Sequence, residues 1–276
     1  MKTVEAILAE FHQKCPPRLA ETWDNVGLLI GDPKVKTDGV VIADDLSHEA
    51  VESAVAHQYR LITVHHPCIF PSHRGIRRLV ASESSQEALN QLMLRCIREN
   101  VAVAALHTNF DRAAQAVPEQ VSKGLGLQVK GRLFEKLSEI QENPGLDSLG
   151  YGVFGDLNQE ETFSGLARRV KTLFQVRSCR VTPSEPKYRV RRVAFTPGKG
   201  SAFLKAAARA GCDVFVTGEV DYHEALLAMR MGMTVIELGH RESELFFLLT
   251  MEQWVKKEKL KPVVINSPVQ RWIEGD

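Results

Sequence analysis

The chain lacks an excess of charge of either sign and lacks long apolar runs. Its 276 residues carry 35 Lys and Arg against 34 Asp and Glu, a formal net charge of +1. Such a balance leaves no overall field to attract nucleic acid or anionic lipid, so a nucleic acid partner is disfavoured. The richest apolar run, at 245–249, is far shorter than the roughly 20 residues that a membrane span needs. We therefore expect no association with membranes.

Cysteine is scarce and scattered. The five cysteines are Cys15, Cys68, Cys96, Cys179 and Cys212, and no two have the spacing of a zinc knuckle. An odd, dispersed set in a chain of this length indicates reduced thiols and argues against a thiolate metal site. The first residues have the periodicity of an amphipathic helix and no signal-peptide apolar region. The expected location is the cytoplasm.

Short apolar runs typical of strands alternate with segments of helical periodicity. Residues 39–43 and 60–64 are predicted to form buried strands, with a helix between them whose N-cap is Ser47. A second helix precedes a third strand at 101–106. This alternation predicts a mostly parallel sheet with helices on its faces.

The pattern changes near residue 131, and a turn is expected at Asn143-Pro144-Gly145. We expect 1–130 to form an N-terminal α/β lobe onto which the C-terminal segment could pack. The stretch 131–192 would be the middle segment of a second lobe, and 193–276 a C-terminal α/β segment. Because the order of elements in the first part recurs in the last, the sequence predicts two similar α/β lobes facing a shared cleft.

Four of the nine histidines stand at the ends of predicted strands. His65-His66-Pro67 follows the strand at 60–64. Pro67 cannot continue the ladder of the sheet, so the backbone can turn there and bring both imidazoles to one site. The alternative interpretation places one histidine in the core and the other on the surface.

The other two histidines each have a carboxylate four residues further on. His107 precedes Asp111, and His240 precedes Glu244, so each pair would share one face of a helix beginning there. Imidazole and carboxylate together suit zinc, iron, manganese or nickel. Six candidate ligands exceed the needs of one tetrahedral site, and carboxylates can bridge two ions ~3.5–4 Å apart. The sequence therefore predicts two divalent metal ions.

Three further places have both a structural and a functional interpretation. Trp23 and Asp24 either form a capped loop packed on the core or rim the cleft. Asp45 either supports a ligand or, as we favour, interacts with the start of a helix. His223 binds substrate, donates a proton or caps a helix, with the functional roles slightly favoured. The glycine turn at 197–201 is a weak candidate for binding an anion through its amides.

Four motifs occur together and in order along nearly the whole chain. The motifs are Trp23-Asp24-Asn25-Val26-Gly27-Leu28-Leu29-Ile30-Gly31, His65-His66-Pro67 with Ile69-Phe70, His107-Thr108-Asn109-Phe110-Asp111, and Gly239-His240 with Ser243-Glu244. Together they resemble the Nif-three-like family, whose members are often named GTP cyclohydrolase 1 type 2 homologs.

The resemblance implies an α/β fold of two similar lobes with a dinuclear metal site in the cleft between them. It also implies a ring-shaped homohexamer. His107 matches a histidine that belongs to the family's pocket, and the resemblance does not establish it as a metal ligand. The metal ligands that the resemblance implies are His65, His66, Asp111, His240 and Glu244.

The chain departs from the family pattern at three places near the implied site. Arg241 replaces a frequent tyrosine, Arg112 begins a stretch that is usually rich in glycine, and Glu219 replaces an aspartate. None of these changes removes an implied ligand. Because two of them add positive charge near the pocket, we expect a phosphate-bearing or otherwise anionic substrate.

Two classes of function are compatible with these features. The first is a metal-dependent hydrolase that uses metal-bound hydroxide on a nucleotide, a cyclic amide or a phosphate ester, as the family name suggests for GTP. The second is a non-enzymatic protein that binds or delivers metal, or serves as a scaffold. The catalytic residues stay open, with His107, His223 and Arg241 as pocket candidates.

Overall fold

The computed structural model describes residues 1–69, 85–113, 116–133, 150–183, 185 and 188–266. Phe70 and the expected turn at 143–145 lie outside these residues. The strands, numbered in chain order, are β1 (Lys2–Thr3), β2 (Gly27–Ile30), β3 (Lys36–Thr37), β4 (Gly39–Ala43), β5 (Leu61–Val64), β6 (Ala102–Ala105), β7 (Leu127–Leu133), β8 (Tyr151–Thr162), β9 (Arg180–Thr182), β10 (Arg189–Phe195), β11 (Val214–Thr217), β12 (Thr234–Glu237) and β13 (Lys261–Val264).

The α-helices are numbered in the same way, and short 3-10 helices also occur at Pro17–Leu19 and Gly200–Phe203. Within the described part of the chain, none of the helices is both long and apolar enough to cross a bilayer. The α-helices are α1 (Val4–Lys14), α2 (His48–Ala56), α3 (Ser85–Arg98), α4 (Thr108–Ala113), α5 (Ala116–Gly124), α6 (Phe163–Leu173), α7 (Leu204–Arg209), α8 (Tyr222–Arg230), α9 (His240–Ser243) and α10 (Leu245–Lys257).

The chain divides into two compact units. The first contains Met1–Ala114 and Phe247–Ser267, and the second contains Gln115–Phe246 and Pro268–Asp276. Strand β7 belongs to the second unit because it pairs with β8. Strand β13 belongs to the first unit because it pairs with β4.

The first unit is built on a five-stranded sheet in the order β13-β4-β5-β6-β2. The first four strands are parallel, and β2 runs antiparallel to β6 at the edge. Every residue of β4, β5 and β6 is buried, which explains why these strands are continuous apolar runs in the sequence. The predicted N-cap of α2 is confirmed, because the Ser47 hydroxyl oxygen accepts a hydrogen bond from the Ala50 amide at 3.1 Å.

The second unit is built on a six-stranded sheet in the order β7-β8-β10-β11-β12-β9. Strands β10, β11 and β12 pair parallel, β8 pairs antiparallel with β7 and β10, and β9 pairs antiparallel with β12. The sheet of this unit is therefore mixed, because the long strand β8 lies between β7 and β10. After β10 the chain forms a 3-10 turn, Gly200–Phe203, that continues as α7.

Each unit contains three neighbouring parallel strands joined by helices. In the first unit the order is β4-α2-β5-α3-β6, and in the second it is β10-α7-β11-α8-β12. The repeated order of elements seen in the sequence thus corresponds to the same arrangement of strands in both units. Each arrangement presents the carboxyl ends of its parallel strands at one edge of its sheet, where α/β proteins bind their ligands.

Candidate metal centre

His65 and His66 leave the sheet at the carboxyl end of β5. The His65 amide donates to the carbonyl oxygens of Ala43, the last residue of β4, at 3.2 Å and of Asp44, just beyond it, at 3.1 Å. The His66 amide donates to the Asp44 oxygen at 2.9 Å. Because the backbone turns here, the two rings need not point to opposite faces, and their centroids are 5.1 Å apart. The predicted turn before Pro67 is present.

His107 lies just beyond the neighbouring strand β6 and completes a cluster of three imidazoles, the first-unit cluster. Its ring centroid is 5.2 Å from that of His65 and 5.6 Å from that of His66. Each of the three residues offers one ring nitrogen, and these nitrogens all lie within 4.8 Å of one another. Three imidazole nitrogens this close form a donor set that suits a borderline divalent cation.

All three imidazoles of the first-unit cluster face an oxygen acceptor with Nδ1. His65 Nδ1 lies 2.9 Å from the Leu106 carbonyl oxygen, and His66 Nδ1 lies 3.1 Å from Asp45 Oδ1. His107 Nδ1 lies 2.9 Å from Asp24 Oδ1. Since these oxygens accept, the proton belongs on Nδ1, and Nε2 keeps the lone pair that a metal requires. The tautomers of the residues present therefore fit a metal ion.

Asp111 stands beside this cluster. Helix α4 starts directly after His107, whose carbonyl oxygen accepts from the amides of Phe110 at 2.8 Å and Asp111 at 3.0 Å. This first turn places Asp111 Oδ1 3.7 Å from Nε2 of the buried His65. A carboxylate is thus added to the three imidazoles, through a contact with His65.

Asp24 fixes the position of His107 from a distant part of the sequence. Its side chain is fully buried, and it also accepts hydrogen bonds from the Thr108 hydroxyl and, at 3.1 Å, from the Thr108 amide. Burial alone would raise the pKa of Asp24, but the hydrogen bonds from His107 and Thr108 lower it to about 2. The carboxylate is therefore ionised at neutral pH and keeps its role as acceptor.

The second unit carries its own pair of candidate ligands on α9 and just after it. His240 Nε2 lies 3.2 Å from Glu244 Oε1, as expected for residues four apart, and Glu244 is buried. On the other side of the ring, His240 Nδ1 lies 3.1 Å from Glu219 Oε1. With a carboxylate at both ring nitrogens, the arrangement fits either an imidazolium ion or a cation held between Nε2 and Glu244.

The glycine turn at 197–201 packs against this pair. Gly198 has a φ of +59°, and a Cβ there would lie 2.7 Å from Glu244 Oε1. Its amide donates to the Ser243 hydroxyl at 2.8 Å, and the Gly200 amide donates to the Glu219 carbonyl oxygen at 3.0 Å. The suggestion that these amides face an anion is therefore wrong for Gly198 and Gly200, which are bonded to the protein.

Several sequence interpretations change in the structure. Asp45 Oδ1 lies 3.1 Å from His66 Nδ1, so this carboxylate orients a candidate ligand, whereas the favoured interpretation placed it at the start of a helix. Trp23 is 56% exposed and is not packed on the core. Arg112 is bound to Glu21 at 3.3 Å.

The remaining pocket candidates lie in the second unit. Arg241 is mostly buried, and its guanidinium lies 3.9 Å from the Glu242 carboxylate. His223 is exposed on α8, where its ring contacts Tyr222.

Two carboxylates that orient histidines were not predicted in that role from the sequence. Asp24 and Glu219 are distant in sequence from His107 and His240, and only the fold brings each to its Nδ1. The sequence did contain one signal for Glu219. This residue follows β11 with only Gly218 between them, so it stands at a strand end, as the histidines do.

Comparison with known proteins extends the motif resemblance. A model of the Duf34/NIF3 family (NGG1p interacting factor 3) matches residues 2–270. The GTP cyclohydrolase 1 type 2 homolog of Clostridium acetobutylicum is 28% identical over 255 residues, covering 92% of this chain and 89% of that protein. The homolog of the same name from Streptococcus pneumoniae is 29% identical over 259 residues, covering 92% and 91%.

A solved structure matches as well. The crystal structure of the Staphylococcus aureus protein SA1388 aligns with a TM-score of 0.78 and 25% identity, covering 98% of this chain and 99% of that one. The sequence relatives and this structural match together confirm the resemblance seen in the motifs and the predicted α/β fold.

Proposed function

The chain belongs to the Duf34/NIF3 family, and from this membership, the first-unit cluster and the pair of His240 and Glu244 we propose that it is a divalent-metal-binding protein that acts as a hydrolase. The observation that carries the proposal is the orientation shared by the four histidines. Each holds Nδ1 against an oxygen acceptor, which directs Nε2 to a ligand. Carboxylate or carbonyl partners of this kind are typical of histidines that bind metal.

The proposed ligands are those implied by the family motifs, and they would hold two ions per chain. The imidazole and carboxylate donors suit zinc, iron, manganese or nickel. Divalent ions bound there would supply Lewis acidity and lower the pKa of water. The proposed ligands are His65, His66, Asp111, His240 and Glu244.

The residues of the chain would supply the remaining chemistry. His107, whose Nδ1 is fixed by Asp24, could accept or release a proton at Nε2 while keeping its orientation. Arg241 could bind an anionic group of the substrate. The names of the relatives point to a nucleotide such as GTP, and a related cyclic amide or phosphate ester has the same kind of hydrolysable bond. We also propose, from the resemblance, a cytoplasmic homohexamer.

Metal analysis tests the binding step. Protein purified without added metal should contain about two divalent ions per chain, and His65→Ala should lose most of this content because the buried His65 would be a ligand. His48→Ala is the matched control, since His48 is an exposed histidine at the start of α2 in the same unit. A wild-type content below about one ion per chain would contradict the dinuclear proposal.

Hydrolysis is tested separately on the metal-loaded protein. A panel of nucleoside triphosphates, cyclic amides and phosphate esters should yield a substrate whose turnover is lost in Glu244→Ala. If metal is bound but no compound of the panel is hydrolysed, binding stands and hydrolysis is rejected. Transfer of the metal to an apo-acceptor protein would then indicate a delivery function.

A further inference from the structure

Trp23 lies exposed at the edge of the first-unit cluster. More than half of its surface, 56%, is accessible, whereas Trp254 is only 8% exposed. Its ring is 6.0 Å from that of His107 and inclined to it by 76°. A single exposed apolar residue is ordinary on a protein surface. This one, however, adjoins the three imidazoles that are the candidate metal donors.

The loop that carries Trp23 is held firmly on its C-terminal side. Asp24 is bonded to His107 and Thr108, and the Asn25 side-chain amide donates to the Ile69 carbonyl oxygen at 2.7 Å. The Asp24 amide also donates to the Glu21 carbonyl oxygen at 3.0 Å. The backbone next to Trp23 is therefore held in place, which lowers the entropy lost when the indole binds a partner.

We propose that Trp23 is the stacking platform for a planar heteroaromatic ring of the substrate. Stacking there would place the reactive end of the substrate at the first-unit cluster. The inference deepens the proposed function and rests on it. An exposed indole gains most from a partner with an extended π-face, because stacking removes apolar surface of both rings from water. A purine or pteridine-like ring satisfies this requirement, whereas a sugar phosphate does not.

Binding, rather than turnover, tests the inference. Guanosine 5′-monophosphate and ribose 5-phosphate share the sugar and phosphate and differ in the ring, and both can be titrated calorimetrically into the metal-loaded full chain. The wild type should bind the nucleotide more tightly. Trp23→Leu should weaken nucleotide binding by roughly 5- to 150-fold, the range for loss of one stacked base, and leave ribose 5-phosphate unchanged. Trp23→Phe should retain part of the preference.

The matched control is Tyr188→Leu, which removes an exposed aromatic residue from the second unit. It should leave the preference for the nucleotide unchanged. Equal affinity of the wild type for both compounds, failure to bind the nucleotide, or an unchanged preference in Trp23→Leu would each overturn the inference. Metal content measured on the same samples separates this result from the proposed metal binding, which fails if the wild type does not hold metal.

Discussion

Asp24 Oδ1 lies 2.9 Å from Nδ1 of His107, although 83 positions separate the two residues. The same carboxylate accepts from the amide of Thr108, the first residue of α4. One buried acid thus fixes both the tautomer of an imidazole and the start of the helix that carries Asp111. Both the stability of the fold and the binding of metal should therefore depend on this carboxylate.

Asp24→Asn tests that dependence. Loss of the charge weakens the hydrogen bonds to His107 and Thr108, and we expect the free energy of unfolding to fall by about 1–3 kcal/mol. Metal affinity should fall by roughly 10- to 100-fold, as for other partners of histidine ligands. Urea denaturation and a metal titration measure the two effects. Asp32→Asn, in an exposed turn, is the control and should change stability by less than about 0.5 kcal/mol. Unchanged metal affinity in Asp24→Asn would contradict the positioning role.

Gly198→Ala should damage the second-unit pair of His240 and Glu244. The new methyl group would collide with Glu244 Oε1, and the φ of +59° is unfavourable for alanine. Gly232→Ala is a matched control, because Gly232 has a φ of +69° and no atom within 4 Å of a Cβ. Both variants should lose about 1 kcal/mol of stability from backbone strain. Only Gly198→Ala should lose metal in addition, as measured by metal content, and equal loss in both variants would refute the contact with Glu244.

The two arginines near the candidate ligands should differ in their effect on anion binding. The Arg112 side chain is 12% exposed and lies 3.3 Å from Glu21, whereas the Arg241 side chain is 21% exposed and lies 3.9 Å from Glu242, so Arg241 is the more accessible of the two to a ligand. We expect Arg241→Ala to weaken binding of guanosine 5′-monophosphate about fivefold and Arg112→Ala to weaken it less. Guanosine, which lacks the phosphate, serves as the control ligand in calorimetric titrations. If Arg241→Ala weakens both ligands equally, the arginine does not recognise phosphate.

The thiol of Cys15 should make stability depend on pH in the alkaline range. Burial raises the pKa of Cys15 to about 12, from an ordinary value near 9. The unfolded chain therefore releases this proton first, and the thiol's contribution to stability falls as pH rises above about 9. Between pH 8 and pH 10, the stability advantage of the wild type over Cys15→Ala should shrink by about 1.4 kcal/mol, as measured by urea denaturation. A constant difference would show that Cys15 ionises equally in both states.

The sequence predicted the strands that carry the histidines because buried parallel strands are continuous apolar runs, and β4 begins and ends where expected. It also predicted which histidines stand at strand ends. It did not predict Asp24 or Glu219 as partners of Nδ1, because those contacts depend on how loops distant in sequence meet. The antiparallel edge of the second sheet was missed for a similar reason, since the pairing of β8 with both neighbours is a tertiary property.

The strands of the first unit's sheet are not contiguous in the sequence, because β13 follows the described strands of the second unit. During synthesis the ribosome completes β4, β5 and β6 early, but the partner that covers the open edge of β4 arrives only with Lys261–Val264. Until then the backbone of that edge is available to other strands, a known route to misassembly. The edge of a sheet begun early in synthesis is therefore covered late, after the described strands of the second unit, β7 to β12, have been synthesised.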